Sequence, residues 1–104
     1  MEKVLVVDDE RSLREVLSIM LTRAGYAVTE ASDGEEAIGH VNREIFDLVI
    51  TDLRMPKADG MAVLKAVKSS SPETVVLVLT AFATADSAVD AMKQGAYDYL
   101  TKPF

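Results

Sequence analysis

FDLVITDLRMPKADGMAVL, residues 46–64, is the stretch whose reading decides the fold. Its apolar run Leu48-Val49-Ile50 has the character of a strand buried on both faces, and the run ends at Thr51-Asp52. Met55-Pro56 forbids simple continuation, and Asp59-Gly60 supplies turn chemistry just ahead of a helical pattern. A carboxylate therefore stands where a buried strand leaves its sheet, which is where open α/β sheets bind their ligands. Asp52 is the first candidate for chemistry.

Outward from this stretch the same grammar repeats. Val4-Leu5-Val6-Val7 is a short apolar run that stops at Asp8-Asp9. Residues 26–31 form a weaker strand, and residues 75–79 are the most hydrophobic one, ending at Thr80. Residues 97–101 make a fifth, followed by Lys102-Pro103-Phe104. Between the strands lie helical patterns. Leu13, Val16, Leu17, Met20 and Leu21 fall on one helix face, closed by Gly25; Ser12 and Glu15 have capping-box spacing, though a start near Glu10 is open. Ser32-Asp33-Gly34-Glu35 offers a better capping box, for a second helix carrying Ala37, Ile38 and Val41. A third helix starts at about Asp59 with Val63, Leu64 and Val67 inward, and Ser69-Ser70-Ser71-Pro72 ends it. A fourth places Ala85, Ala88, Val89 and Met92 on one side and stops at Gly95.

The pattern (βα)₄β with right-handed crossovers predicts an α/β domain, a doubly wound five-stranded parallel sheet in the order 2-1-3-4-5 with helices on both faces. Residues 1–104 read as one domain without repeats, low-complexity segments or a linker. No helix follows the fifth strand, so the last strands are expected to be bare on one side. Either a fifth helix lies beyond this sequence, or another chain or domain does the covering.

Composition narrows the function classes. Apolar residues make up 49% of the 104, which excludes a disordered chain. A net charge of −6 with no basic patch argues against direct nucleic-acid binding and suits carboxylates around a hard cation. The absence of cysteine excludes disulfides and thiolate metal sites. No apolar run reaches membrane-spanning length and a strand begins by Lys3, so a cytoplasmic protein without a signal peptide is expected.

In the order 2-1-3-4-5 the first and third strands are neighbours at the switch point, which crowds Asp8, Asp9 and Asp52 together. Three carboxylates in one place persist only with a cation among them or with a raised pKa. Oxygen donors without His or Cys point to Mg²⁺, with Mn²⁺ or Ca²⁺ as alternatives, and Mg²⁺ in turn suggests a phosphoryl substrate. Thr80 and Lys102, at the ends of the fourth and fifth strands, complete the set. Each such residue alone is ordinarily a solvated loop group; together, at four strand ends, they make a site.

VLVVDDE, LVITDLRMPKADGMAVL, VLVLTAFA and GAYDYLTKPF carry a resemblance that extends from Val4 to Phe104. The sequence resembles the receiver domain of two-component response regulators, most of all the receivers of σ54-dependent transcriptional activators of the NtrC type. The resemblance implies a flavodoxin-like sheet and a phosphoacceptor switch, not an enzyme with turnover beyond slow self-dephosphorylation. By the same resemblance Asp52 is the phosphoacceptor. Asp9 holds Mg²⁺ directly, Asp8 mainly through water, and Asp52 with the Arg54 carbonyl completes the protein ligands. Thr80 and the Ala81 N–H bind phosphoryl oxygens, and Lys102 pairs with the phosphoryl group, set by a cis Lys102-Pro103 bond. Tyr99 is the aromatic switch residue that turns inward when Thr80 moves. The implied partners are a sensor histidine kinase and an output domain, a DNA-binding activator, with self-association through the uncovered C-terminal face as a further expectation. The family's fifth helix is the one missing piece.

Other residues have plainer readings. His40 is expected to be solvent-exposed on the polar side of its helix. Met20, Met55, Met61 and Met92 read as core or loop packing, Tyr97 as structural, and Arg54 and Lys57 as loop charges flanking the site. A haloacid-dehalogenase-type phosphatase shares the Asp, Thr or Ser, Lys and Mg²⁺ set. It places an Asp-x-Asp nucleophile after its first strand and adds a cap, for which this chain has no room. An interaction module that signals without phosphorylation would not need all five polar groups. Nucleotide or flavin binding lacks a Gly-rich phosphate loop.

Overall fold

The computed structural model describes residues 2–81 and 83–102. Five strands alternate with four helices: β1 (Lys3–Val7), α1 (Arg11–Arg23), β2 (Ala27–Ala31), α2 (Gly34–Arg43), β3 (Leu48–Thr51), α3 (Gly60–Ser70), β4 (Val75–Thr80), α4 (Ala85–Lys93) and β5 (Asp98–Thr101). All strand pairs are parallel, in the order β2-β1-β3-β4-β5, as the sequence predicts. No described helix is long and apolar enough to cross a membrane.

Strand alternation divides the core in two. Leu5, Val7, Val49, Val76 and Val78 point to one face, where they meet Ala37, Val41, Val63, Leu64, Val67 and Ala91 of α2, α3 and α4. Val4, Val6 and Leu79 point to the other, where Leu17 of α1 is the buried helical partner and Leu13, Leu21 and Ile50 are half-buried. Burial of such side chains is worth roughly 1.5–3 kcal/mol each. The period-2 pattern of the strands thus fixes which helix each residue meets.

Several local expectations change. The N-cap of α2 is Asp33, which accepts the Glu36 N–H, while Ser32 donates to the Glu36 side chain; the cap is one residue later than the Ser32 reading. Helix α1 begins after Glu10 without a side-chain cap, so the Ser12/Glu15 box does not form. In α4 it is Ala91 that is fully buried, whereas Val89 and Met92 are 54% and 47% exposed. A methyl side chain lets this helix lie close to the sheet, and the bulkier residues point away. Val16 and Met20 of α1 are likewise exposed, as is Tyr97 just before β5, so none of these is core packing. Met55 and Met61 do pack against the core. His40 is half-buried rather than exposed, with Nδ1 3.4 Å from the Arg43 guanidinium.

Candidate functional site

The site lies at the C-terminal edge of the sheet, and backbone ladders set it there. The Asp8 N–H donates to the Ala31 carbonyl at 3.1 Å, and the Asp52 N–H to the Val7 carbonyl at 3.0 Å. Both ladders therefore continue one residue past the strands. Because Val7 pairs in register with Thr51, the two carboxylates leave neighbouring strands side by side. Asp9 joins them, and one oxygen of each of the three lies within 4.8 Å of the others. Asp8 and Asp52 are 3% and 4% exposed, while Asp9 faces solvent.

Glycine makes the approach to Asp52 tight. A Cβ on Gly60 would run into the Asp52 carbonyl and the Leu53 Cα, and the Gly60 N–H donates to the Leu53 carbonyl at 2.7 Å. The loop of residues 52–60 thus folds back on itself. Its outer side docks on α2: a Cβ on Gly34 would overlap the Ala58 carbonyl group, and Lys57, at φ 72°, reaches Asp33 at 3.7 Å. A non-glycine residue in this left-handed region carries backbone strain.

Within the cluster the Leu53 N–H donates to Asp52 Oδ1 at 2.6 Å. The Lys102 ammonium donates to Asp52 Oδ2 at 2.9 Å and to Asp8 Oδ2 at 2.7 Å. Lys102 is held over the edge by its own N–H, which donates to the Thr80 carbonyl. Burial pushes the Asp8 carboxyl above the usual range; the Lys102 ammonium and the Glu10 N–H pull it back only in part, and the Asp52 charge adds to the rise. Burial works against the Lys102 charge, but its hydrogen bonds to Asp8 and Asp52 outweigh this and its pKa is raised. Among the described residues, three carboxyl groups gather around one ammonium, a shortage of positive charge. A hard divalent cation with oxygen ligands suits that deficit.

Thr80 is fully buried at the end of β4 and Ala81 follows it, exposed, at the same edge. Arg54 is exposed on the loop after β3. Tyr99 is half-buried on β5, with its hydroxyl 2.6 Å from the Ser87 Oγ of α4. The structure thus gathers Asp8, Asp9, Asp52 and Lys102 directly, sets Thr80 and Ala81 along their edge, and ties Tyr99 to a helix. The Lys102-Pro103 peptide lies outside the described residues. Sequence reasoning did not find Ser87, which forms a capping box with Thr84 and meets Tyr99; the Thr-x-x-Ser spacing was the available signal. Nor did it find the positive φ of Lys57.

Comparisons with known proteins place the chain in a family. Residues 4–104 match the family model of the response regulator receiver domain. The chain is 44% identical over 100 residues to the transcriptional regulatory protein ZraR of Escherichia coli, covering 96% of this chain and 23% of that protein. It is 45% identical over 102 residues to the response regulator protein FleR of Pseudomonas aeruginosa, covering 98% of this chain and 22% of that one. The chain thus spans less than a quarter of either relative. Among solved structures, a response regulator from Burkholderia pseudomallei with a phosphorylated aspartic acid, a calcium ion and citrate superposes with a TM-score of 0.94 at 34% identity, over 100% of this chain and 61% of that one. With a family match over nearly its whole length and the acidic cluster at the expected sheet edge, this chain belongs to the response regulator receiver domains.

Proposed function

We propose that this receiver takes a phosphoryl group onto Asp52 from the phosphohistidine of a sensor histidine kinase and passes the change to an output domain. The observation that carries this is the junction of Asp8, Asp9 and Asp52 under a half-buried Lys102 ammonium. Asp9, Asp8, Asp52 and the Arg54 carbonyl would hold Mg²⁺, which when bound supplies charge neutralisation next to the incoming phosphoryl group.

The chain's own residues do the rest. An Asp52 carboxylate oxygen attacks phosphorus as the N–P bond breaks, and the bonding pair leaves with the imidazole nitrogen. Lys102, released from Asp52, pairs with the new phosphoryl oxygens, and the Thr80 hydroxyl and Ala81 N–H bind two of them. Since Thr80 is buried, its shift opens space that the Tyr99 ring fills, giving the two-state element that phosphorylation biases. The reading includes a cytoplasmic location, a DNA-binding activator as the output domain, and self-association through the uncovered C-terminal face of strands β4 and β5.

Mass spectrometry after treatment with acetyl phosphate and Mg²⁺ tests the proposal. A single phosphoryl group on Asp52 that decays slowly is expected, and Asp52→Asn should abolish it. Unchanged labelling of that variant, or rapid repeated turnover of a phosphomonoester, would remove Asp52 from this role.

A further inference from the structure

Arg14 lies outside the acidic cluster, yet it is tied to it. It stands in the first turn of α1, and its Nη1 donates to the carbonyl oxygen of Asp8 at 2.8 Å. Its Nε donates to Glu30 Oε1 on β2 at 3.0 Å, and its side chain is only 15% exposed. Asp8 is thus pinned at both backbone groups, the N–H by Ala31 of β2 and the carbonyl by Arg14. That carbonyl belongs to the peptide group that launches Asp9. The Asp9 carboxylate is the exposed member of the cluster and takes no hydrogen bond from the described residues, so its direction depends on its backbone. A planar peptide makes this control rigid, because holding one carbonyl fixes the plane from which the next residue starts.

We infer that Arg14 is a positioning residue for the cation: it locks the Asp8–Asp9 peptide so that the Asp9 carboxylate faces Asp8 and Asp52. Glu30 orients the guanidinium from the neighbouring strand and offsets its charge, so the clamp does not act as a competing cation. A fork of fixed donors can meet a carbonyl and a carboxylate at once, which a single ammonium on a flexible stem does less well. Residues that orient metal ligands without touching the metal commonly change affinity by about 10–100-fold when removed.

This rests on the reading of Asp8, Asp9 and Asp52 as a Mg²⁺ site, and the experiment separates the two. Mg²⁺ alone is titrated into the 104-residue chain while the Asp9 and Asp52 amide signals are followed by NMR. In parallel, acetyl-phosphate labelling is measured across Mg²⁺ concentrations. Arg14→Ala is expected to raise the Mg²⁺ midpoint about tenfold or more, with the labelling rate at saturating Mg²⁺ within about twofold of the parent. Arg14→Lys should recover part of the loss, and Glu30→Gln, a change on an exposed strand residue, should give a smaller loss in the same direction. Midpoints within about twofold of the parent for both Arg14→Ala and Glu30→Gln would overturn the inference. So would a fall in the saturated rate with the midpoint unchanged, the mark of a merely structural role. A parent chain that shows no saturable Mg²⁺ response, with Asp9→Ala unchanged from it, would overturn the cation site itself and the inference with it.

Discussion

The two faces of the sheet are built to different standards. The face toward α2, α3 and α4 is sealed: Leu5, Val49, Val76 and Val78 are wholly buried beneath three helices. The face toward α1 has one described helix over it, and its margin stays open, with Val16, Ile19 and Met20 of α1 and Leu100 of β5 exposed. The buried helix residues are therefore concentrated on one side, while on the other Leu17 is the one buried residue of the described helix.

Substitutions can break or sharpen that contrast. The largest effect is expected on the sealed side: Leu64→Ala should cost about 2–5 kcal/mol by urea denaturation, whereas Met20→Ala on the open side should stay within about 0.5 kcal/mol. Equal costs would erase the distinction. Gly34→Ala comes next at about 1–3 kcal/mol, because the new methyl meets the Ala58 backbone. It should also slow labelling of Asp52, since the displaced loop is the one that folds back on that residue.

Asp8→Asn is expected to go the other way. The folded-state pKa of Asp8 is raised, so its contribution favours folding below the ordinary carboxylate range and is lost as pH rises through the folded value. At neutral pH without Mg²⁺ the ionised group is a cost, and removing it should add on the order of 1 kcal/mol, or about 4–8 °C in melting temperature. That gain should vanish at acid pH, and should shrink when saturating Mg²⁺ stabilises the parent. A lower melting temperature at neutral pH would show that the Lys102 bond outweighs the burial of Asp8. The smallest effect is expected at Lys57→Gly. Relief of about 1–2 kcal/mol of left-handed strain is offset by about 0.5–1 kcal/mol of glycine chain entropy, leaving a modest net gain by thermal melting.

Much of this was legible in the sequence because a buried parallel strand announces its own end. Each apolar run stops at the polar residue that reaches the sheet edge, so Asp8, Asp52, Thr80 and Lys102 could be found without coordinates. The strand order then placed Asp8, Asp9 and Asp52 together. What stayed hidden has physical reasons. Apolar spacing marks a stripe on a helix but not whether anything covers it, so Val16, Met20, Val89 and Met92 read as core. Ser32 and Asp33 are both good capping residues, and only the backbone turn decides between them. A side chain that grips a backbone carbonyl leaves no residue-type signature on its partner, so nothing in the sequence singles out Arg14.

The bond from Lys102 to Asp8 joins groups 94 positions apart, the first strand to the last. The chain cannot assemble this cluster piecemeal: until β5 has docked beside β4, Asp8 and Asp52 stand without the Lys102 ammonium. On the function proposed above, competence to receive a signal would arrive with completion of the sheet, so that half-made or locally opened copies of the chain stay silent.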